Sequence, residues 1–210
     1  MPWYFGVAYF VIIFGVISGG FRYSRLNNSS KILYLLLVAT LFSEVLALVF
    51  SKVIKNNLII YRVFAVVQIV FITCAYFVEL VRYKRLFIGS VFIYFLVYLF
   101  ELVKDFKYIS SLYPTIVKSY GSTLIVTYSL LYTYELLVAK NNKSYLNYPL
   151  FWVSGGLMVF SIITLLNFSL FNSIAVDKNL YKLFEYTRIG ANIMLYFTFC
   201  LSFFTKQYQL

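Results

Sequence analysis

Histidine is absent from this chain, which removes the commonest metal ligand and the commonest general base together. Aspartate occurs only at Asp105 and Asp177, both between apolar runs. The two cysteines, Cys74 and Cys200, lie inside apolar runs with no CxxC spacing around them, so they read as packing residues. This inventory excludes metal-dependent hydrolysis, Ser-His-Asp catalysis and Cys-His catalysis. No Walker-type or dinucleotide glycine loop is present either. A retinal Schiff base needs a lysine midway along the last apolar run, but Lys182 is at its mouth and Lys206 lies beyond its end. Only a carboxylate mechanism around Glu44 or Glu185 is left as enzymatic chemistry. The chain is therefore expected not to be an enzyme, and to need neither metal nor cofactor.

Charge is scarce as well. Charged residues make up 12% of the chain, where a soluble domain carries about 25%. In their place stand 62% hydrophobic and 22% aromatic residues, with a mean hydropathy of +0.85. The apolar residues come in long blocks with charges between them, which is the pattern of an all-α, polytopic membrane protein. No linker or low-complexity stretch divides it, so residues 1–210 read as a single transmembrane domain. The formal charge of +11 is carried mostly by short connections, where it sets topology and meets anionic lipid headgroups. No basic face interleaved with exposed aromatics is visible. Membrane lipids are thus the expected partners and nucleic acid is not.

Seven segments approach the ~20 residues needed to cross a bilayer: about 4–20, 32–53, 57–80, 86–103, 112–137, 149–171 and 180–205. The fifth is the most polar, with Lys118 and six Ser or Thr residues between 115 and 129. The first begins MPWYFG, without a positive n-region, and ends ISGGFRYSR rather than at an A-x-A-like site. It reads as a retained helix rather than a cleaved leader. Placing the N-terminus outside puts nine Lys and Arg in the inner connections: Arg22, Arg25, Lys31, Arg82, Lys84, Arg85, Lys140, Lys143 and Lys206. Six then lie outside: Lys52, Lys55, Lys104, Lys107, Lys178 and Lys182. The bias predicts a bundle of seven transmembrane helices, N-terminus outside and C-terminus in the cytoplasm, multi-pass in an inner membrane. Trp3, Tyr4, Tyr148 and Trp152 read as interfacial aromatics. Gly121, Gly155, Gly156 and Gly190 read as points of close helix approach.

With that topology, ionisable residues gather in the outer half. Glu44 is about halfway along the second helix, and Arg62 is about one and a half turns below the outer end of the third, with Gln68 near its middle. Lys118 follows Pro114 by four residues in the fifth segment. Glu185, Arg188 and Asn192 are spaced i, i+3, i+7 and share one face of the seventh. Glu79 and Glu135 lie at inner helix ends. A charge at membrane depth costs several kcal/mol, so such groups face a bundle interior or a wet cavity and pair. Glu185 is expected to pair with Arg188, and Glu44 with Arg62, leaving Lys118 for an anionic or carboxylate-bearing ligand. The other reading is structural glue, with the long cations reaching the headgroups. Glu44 is too short and too deep for that.

The stretches YPLFWVSGGLMVF (148–160) and IIYRVFAVVQIVFITCAYF, with its polar residue midway along a helix, resemble small seven-helix membrane proteins of Bacteroidetes-type bacteria. These are similar to the membrane-sensing segments placed ahead of histidine kinases. The resemblance covers about 32–205 and implies the fold and a sensor-like role, but no site residues. Only TKQYQL follows the seventh helix, so no output domain is expected, and a sensor would report through a membrane partner or a homo-oligomer. Two functions follow. The first is a sensor or accessory subunit that binds a small lipophilic or anionic ligand in an outward pocket. The second is a small transporter or homo-oligomeric pore lined by the fifth and seventh helices. Few polar residues in the inner halves favour the first.

Overall fold

The computed structural model describes residues 3–104, 114–139, 144–169 and 178–208. Among them are seven α-helices and no strand: α1 (Trp3–Arg22), α2 (Asn28–Val53), α3 (Leu58–Glu79), α4 (Lys84–Lys104), α5 (Thr115–Val138), α6 (Pro149–Ser169) and α7 (Lys178–Phe204). Asp105, Lys107, Lys140, Lys143 and Asp177 lie outside the described residues, as do 112–113 and 170–171 at two expected helix ends and the side chains of Trp3, Tyr4 and Lys178.

Six helices, α1 to α4, α6 and α7, are long and apolar enough to cross a membrane. At 24 residues α5 has the length, about 36 Å at 1.5 Å per residue, but its hydroxyls and Lys118 place it outside that set. The packing explains how a polar helix is accommodated. Val117, Gly121, Ile125, Tyr128, Tyr132 and Leu136 form a buried stripe at helical spacing, and α3, α4 and α6 surround it. Its hydroxyls turn inward to their own backbone: Thr123, Thr127, Ser129 and Thr133 each donate to the carbonyl four residues earlier, at 2.8–3.0 Å. A backbone carbonyl thus takes a proton that would otherwise need water.

The helices close into a ring in chain order. Each packs on its successor, and α7 returns to α1, with α2 also touching α7 and α3 touching α5. At the end holding the α1–α2 connection, the closure is hydrogen-bonded. The Asn27 amide N–H donates to Gln207 Oε1 at 3.3 Å, and its side-chain Nδ2 donates to the Tyr208 carbonyl at 3.2 Å. Asn27 Oδ1 also caps α2, accepting from the Ser30 amide at 2.8 Å. The outer surface is a continuous apolar coat. On α4, Ile88, Phe92, Leu96, Leu99 and Val103 are all exposed. A soluble monomer does not leave that much apolar surface in water; hydrocarbon wets it without penalty.

Gly156 is a point of close approach between α6 and α7. A Cβ there would collide with the Thr198 side chain. Gly156→Val is expected to lower stability by about 2 kcal/mol through overpacking, read as a lowered thermal midpoint in detergent. Gly155 and Gly190, also expected at close crossings, face open space. Tyr148, expected at the headgroups, is instead buried. There its ring meets that of Tyr208 at a centroid distance of 5.9 Å.

Glu101 near the end of α4 fixes the start of α5. Its two carboxylate oxygens accept from the Ile116 amide at 3.0 Å and the Val117 amide at 2.9 Å. These are amides a helix start leaves without an intrahelical partner, at the positive end of the helix dipole. Glu101→Ala is expected to destabilise the fold by about 2 kcal/mol. It should also speed hydrogen exchange at the Ile116 and Val117 amides, as measured by mass spectrometry.

Candidate ligand-binding chamber

Inside the ring, at the end where α1, α3, α5 and α7 begin, is a chamber of about 810 Å³. Drug-sized ligands occupy pockets of about 300–1,000 Å³. Every helix except α4 contributes to its wall. Apolar side chains such as Leu36, Leu157, Phe160 and Phe199 form most of it, and Lys52 stands at its exposed rim.

The polar residues expected at membrane depth converge here with one exception. Glu44, Gln68, Lys118, Glu185, Arg188 and Asn192 all line the chamber. Arg62 does not. It is buried on the face of α3 shared with Ala65 and Ile69, which turns to α4, where Tyr94 donates its hydroxyl to the Ala65 carbonyl at 3.1 Å. The chamber face of α3 is Tyr61, Phe64 and Gln68. Arg62 is one residue on from Tyr61, about 100° around the helix, and is directed elsewhere.

The expected pairings are therefore redrawn. Glu44 takes hydrogen bonds from two tyrosines: the Tyr9 hydroxyl donates to Oε2 at 3.4 Å, and Tyr61 supplies the other. The cation acting on it is Arg188. Tyr196 of α7 lies in the electrostatic neighbourhood of Glu44, Tyr9 and Tyr61. The pair permitted by the i, i+3 spacing of Glu185 and Arg188 is not formed: among the described residues neither is in an ion pair. Lys118 likewise has no carboxylate partner there. Arg188 is close enough to repel it.

Two further groups complete the wall between Lys118 and Arg188. Thr164 and Asn167, spaced i, i+3 on α6, are 6% and 9% exposed. Thr164 Oγ1 and Asn167 Nδ2 have no hydrogen-bond partner among the described residues. Buried polar atoms are nearly always satisfied, so two orphans on one chamber wall call for an explanation. A side pocket of about 30 Å³, room for one water, adjoins the chamber. Gln68, Lys118, Phe160 and Thr164 line both. Sequence reading passed over Thr164 and Asn167, although ITLLNF places both inside an apolar segment, the signal that marks Glu44. Tyr9, Tyr61 and Tyr196 gave none, being three among 21 tyrosines.

Beyond the chamber, several polar groups of the other half bond one another, although the buried Ser30 and Ser161 hydroxyls have no partner among the described residues. The Tyr76 hydroxyl bonds Ser129 Oγ at 2.9 Å and Ser154 Oγ at 2.8 Å, and Tyr128 bonds Ser90 at 2.5 Å. The Ser29 hydroxyl donates to Glu79 at 2.5 Å. Glu135 accepts from Tyr83 at 2.7 Å and pairs with Arg82 at 3.8 Å. Among the described residues no group of His, Cys, Asp and Glu could hold a metal ion. No family model matches the chain, and neither a curated protein nor a solved structure does.

Proposed function

We propose that this chain is an integral membrane sensor or accessory subunit. It binds a small ligand with a lipophilic body and an anionic group in the chamber, and it passes the bound state to a membrane partner. In this reading α5 is the seventh span, the N-terminus lies outside, and the C-terminus lies in the cytoplasm of a bacterial cell whose inner membrane holds the protein. The chamber then opens outward, as the Lys and Arg count over the connections favours.

One observation supports this above the rest. Lys118 and Arg188 face a largely apolar chamber with no ion pair among the described residues. Charges kept at such depth without partners mark function more often than structure. The pore reading is disfavoured because the Tyr76, Ser129, Ser154, Tyr128 and Ser90 hydroxyls under the chamber bond one another, and a conducting path needs groups free to solvate what passes.

Native mass spectrometry of the protein, gently extracted from its host membrane, tests the proposal. The expected spectrum shows a stoichiometric partner protein, together with a bound non-protein mass. A bare homo-oligomer carrying neither contradicts it and restores the pore.

A further inference from the structure

The chamber's charges sum to zero below its rim. Lys118 and Arg188 oppose Glu44 and Glu185; Glu185 shares α7 with Arg188, whereas Glu44 stands on α2, a different wall from the one that carries both cations. The successive helices α5, α6 and α7 carry Lys118, the orphan pair Thr164 and Asn167, and Arg188 with Asn192. The successive helices α1, α2 and α3 carry Tyr9, Glu44 and Tyr61, and Tyr196 of α7 adds a third aromatic ring to that side. A carboxylate set among tyrosine hydroxyls attracts a cationic nitrogen, through its charge and through hydroxyl oxygens able to accept from that nitrogen. Two cations beside unsatisfied Thr and Asn groups attract an anionic oxygen group, which accepts from all of them. A purely anionic ligand would meet the first wall well and leave Glu44 and Glu185 repelling it.

We infer that the chamber is built for a zwitterion. The anionic group of the ligand is held by Lys118, Thr164, Asn167 and Arg188, its cationic nitrogen lies in the box of Glu44 with Tyr9, Tyr61 and Tyr196, and its apolar body fills the space between. This rests on the ligand-binding reading above and narrows it from anions to dipolar molecules. Free amino-acid-like compounds and aminophospholipid headgroups both carry this chemistry.

Two matched pairs of probes separate the possibilities, with binding to the purified full chain in detergent read by thermal shift and by titration. Phenylalanine is compared with 3-phenylpropionate, which lacks only the amine. Dihexanoyl phosphatidylethanolamine is compared with dihexanoyl phosphatidylglycerol, whose headgroup is anionic without a nitrogen. The expected result is that the zwitterion of one pair binds about tenfold or more tightly than its twin, and that Glu44→Gln brings the two affinities together. The pair that responds identifies the source, free or lipid. Equal or tighter binding by both nitrogen-free twins overturns the zwitterion and leaves the anion chamber standing. Binding by none of the four overturns both. The comparison within wild type decides the matter even where Glu44→Gln fails to fold.

Discussion

Arg188→Ala is expected to weaken carboxylate binding in the chamber by about 100-fold, equivalent to about 2.7 kcal/mol, with little change in thermal midpoint. The size follows from the site. Arg188 faces an apolar chamber, makes no ion pair among the described residues, and stands close enough to Lys118 for mutual repulsion. In the empty protein its attraction to Glu44 is set against its repulsion from Lys118, so its removal breaks no ion pair and changes the fold's stability little. When an anionic group arrives, both cations gain a partner in surroundings where water competes poorly. Phenylalanine and 3-phenylpropionate should lose affinity alike, since both present a carboxylate, whereas Glu44→Gln should affect only the amine-bearing probe. Arg188→Lys should recover part of the loss, because it restores the charge without the planar fork of donors. Isothermal titration on the three variants checks this. A variant that unfolds, with binding lost only for that reason, would assign Arg188 to structure instead.

Tyr76→Ala should have the largest effect on stability, about 4 kcal/mol. Tyr76 has 0% exposure and joins three helices: from α3 it bonds Ser129 of α5 and Ser154 of α6. Its ring also packs against Tyr128 and Tyr132 at centroid distances of 5.8 and 6.1 Å. Truncation opens a cavity among these rings and leaves the Ser154 hydroxyl without its partner. Tyr76→Phe keeps the ring and removes only the hydroxyl, so about 1 kcal/mol is expected. Ser129 retains its bond to the Ile125 carbonyl at 2.9 Å in either case. Unfolding titrations in mixed micelles measure the ladder from wild type through Phe to Ala. Equal losses for the two variants would mean that the hydroxyl network, rather than ring packing, holds α3, α5 and α6 together.

Much of this architecture is written in the sequence because lipid imposes simple rules. An apolar block near 20 residues in water-free surroundings has few alternatives to a helix, and the observed helices start and end within a few residues of the blocks. The exception is instructive. Hydropathy weakens over 115–138 because Lys118 serves the chamber while the threonines bond their own backbone. Depth along a helix is also legible, which is why Glu44, Gln68, Lys118, Glu185, Arg188 and Asn192 share one chamber. Rotation about the helix axis is less so. Arg62 has the right depth and the wrong face, because which side of α3 meets the chamber depends on how α2, α4 and α5 pack around it. Contacts between helices are not legible at all. Glu101 sits in the apolar run LFELV with no local sign that its carboxylate caps the next helix. Nor does the i, i+3 spacing of Glu185 and Arg188 reveal that both are left without an ion-pair partner among the described residues.

On this reading Lys118 and Arg188 hold a dipolar or anionic small molecule in the chamber. The most direct measurement is mass spectrometry of the compounds released on denaturing wild-type protein and a Lys118→Ala/Arg188→Ala variant, both purified from the same host membrane. The expected result is one compound, carrying an acidic oxygen group and near-stoichiometric with wild type, that is missing from the variant. The same compounds in the same amounts from both proteins would contradict the account.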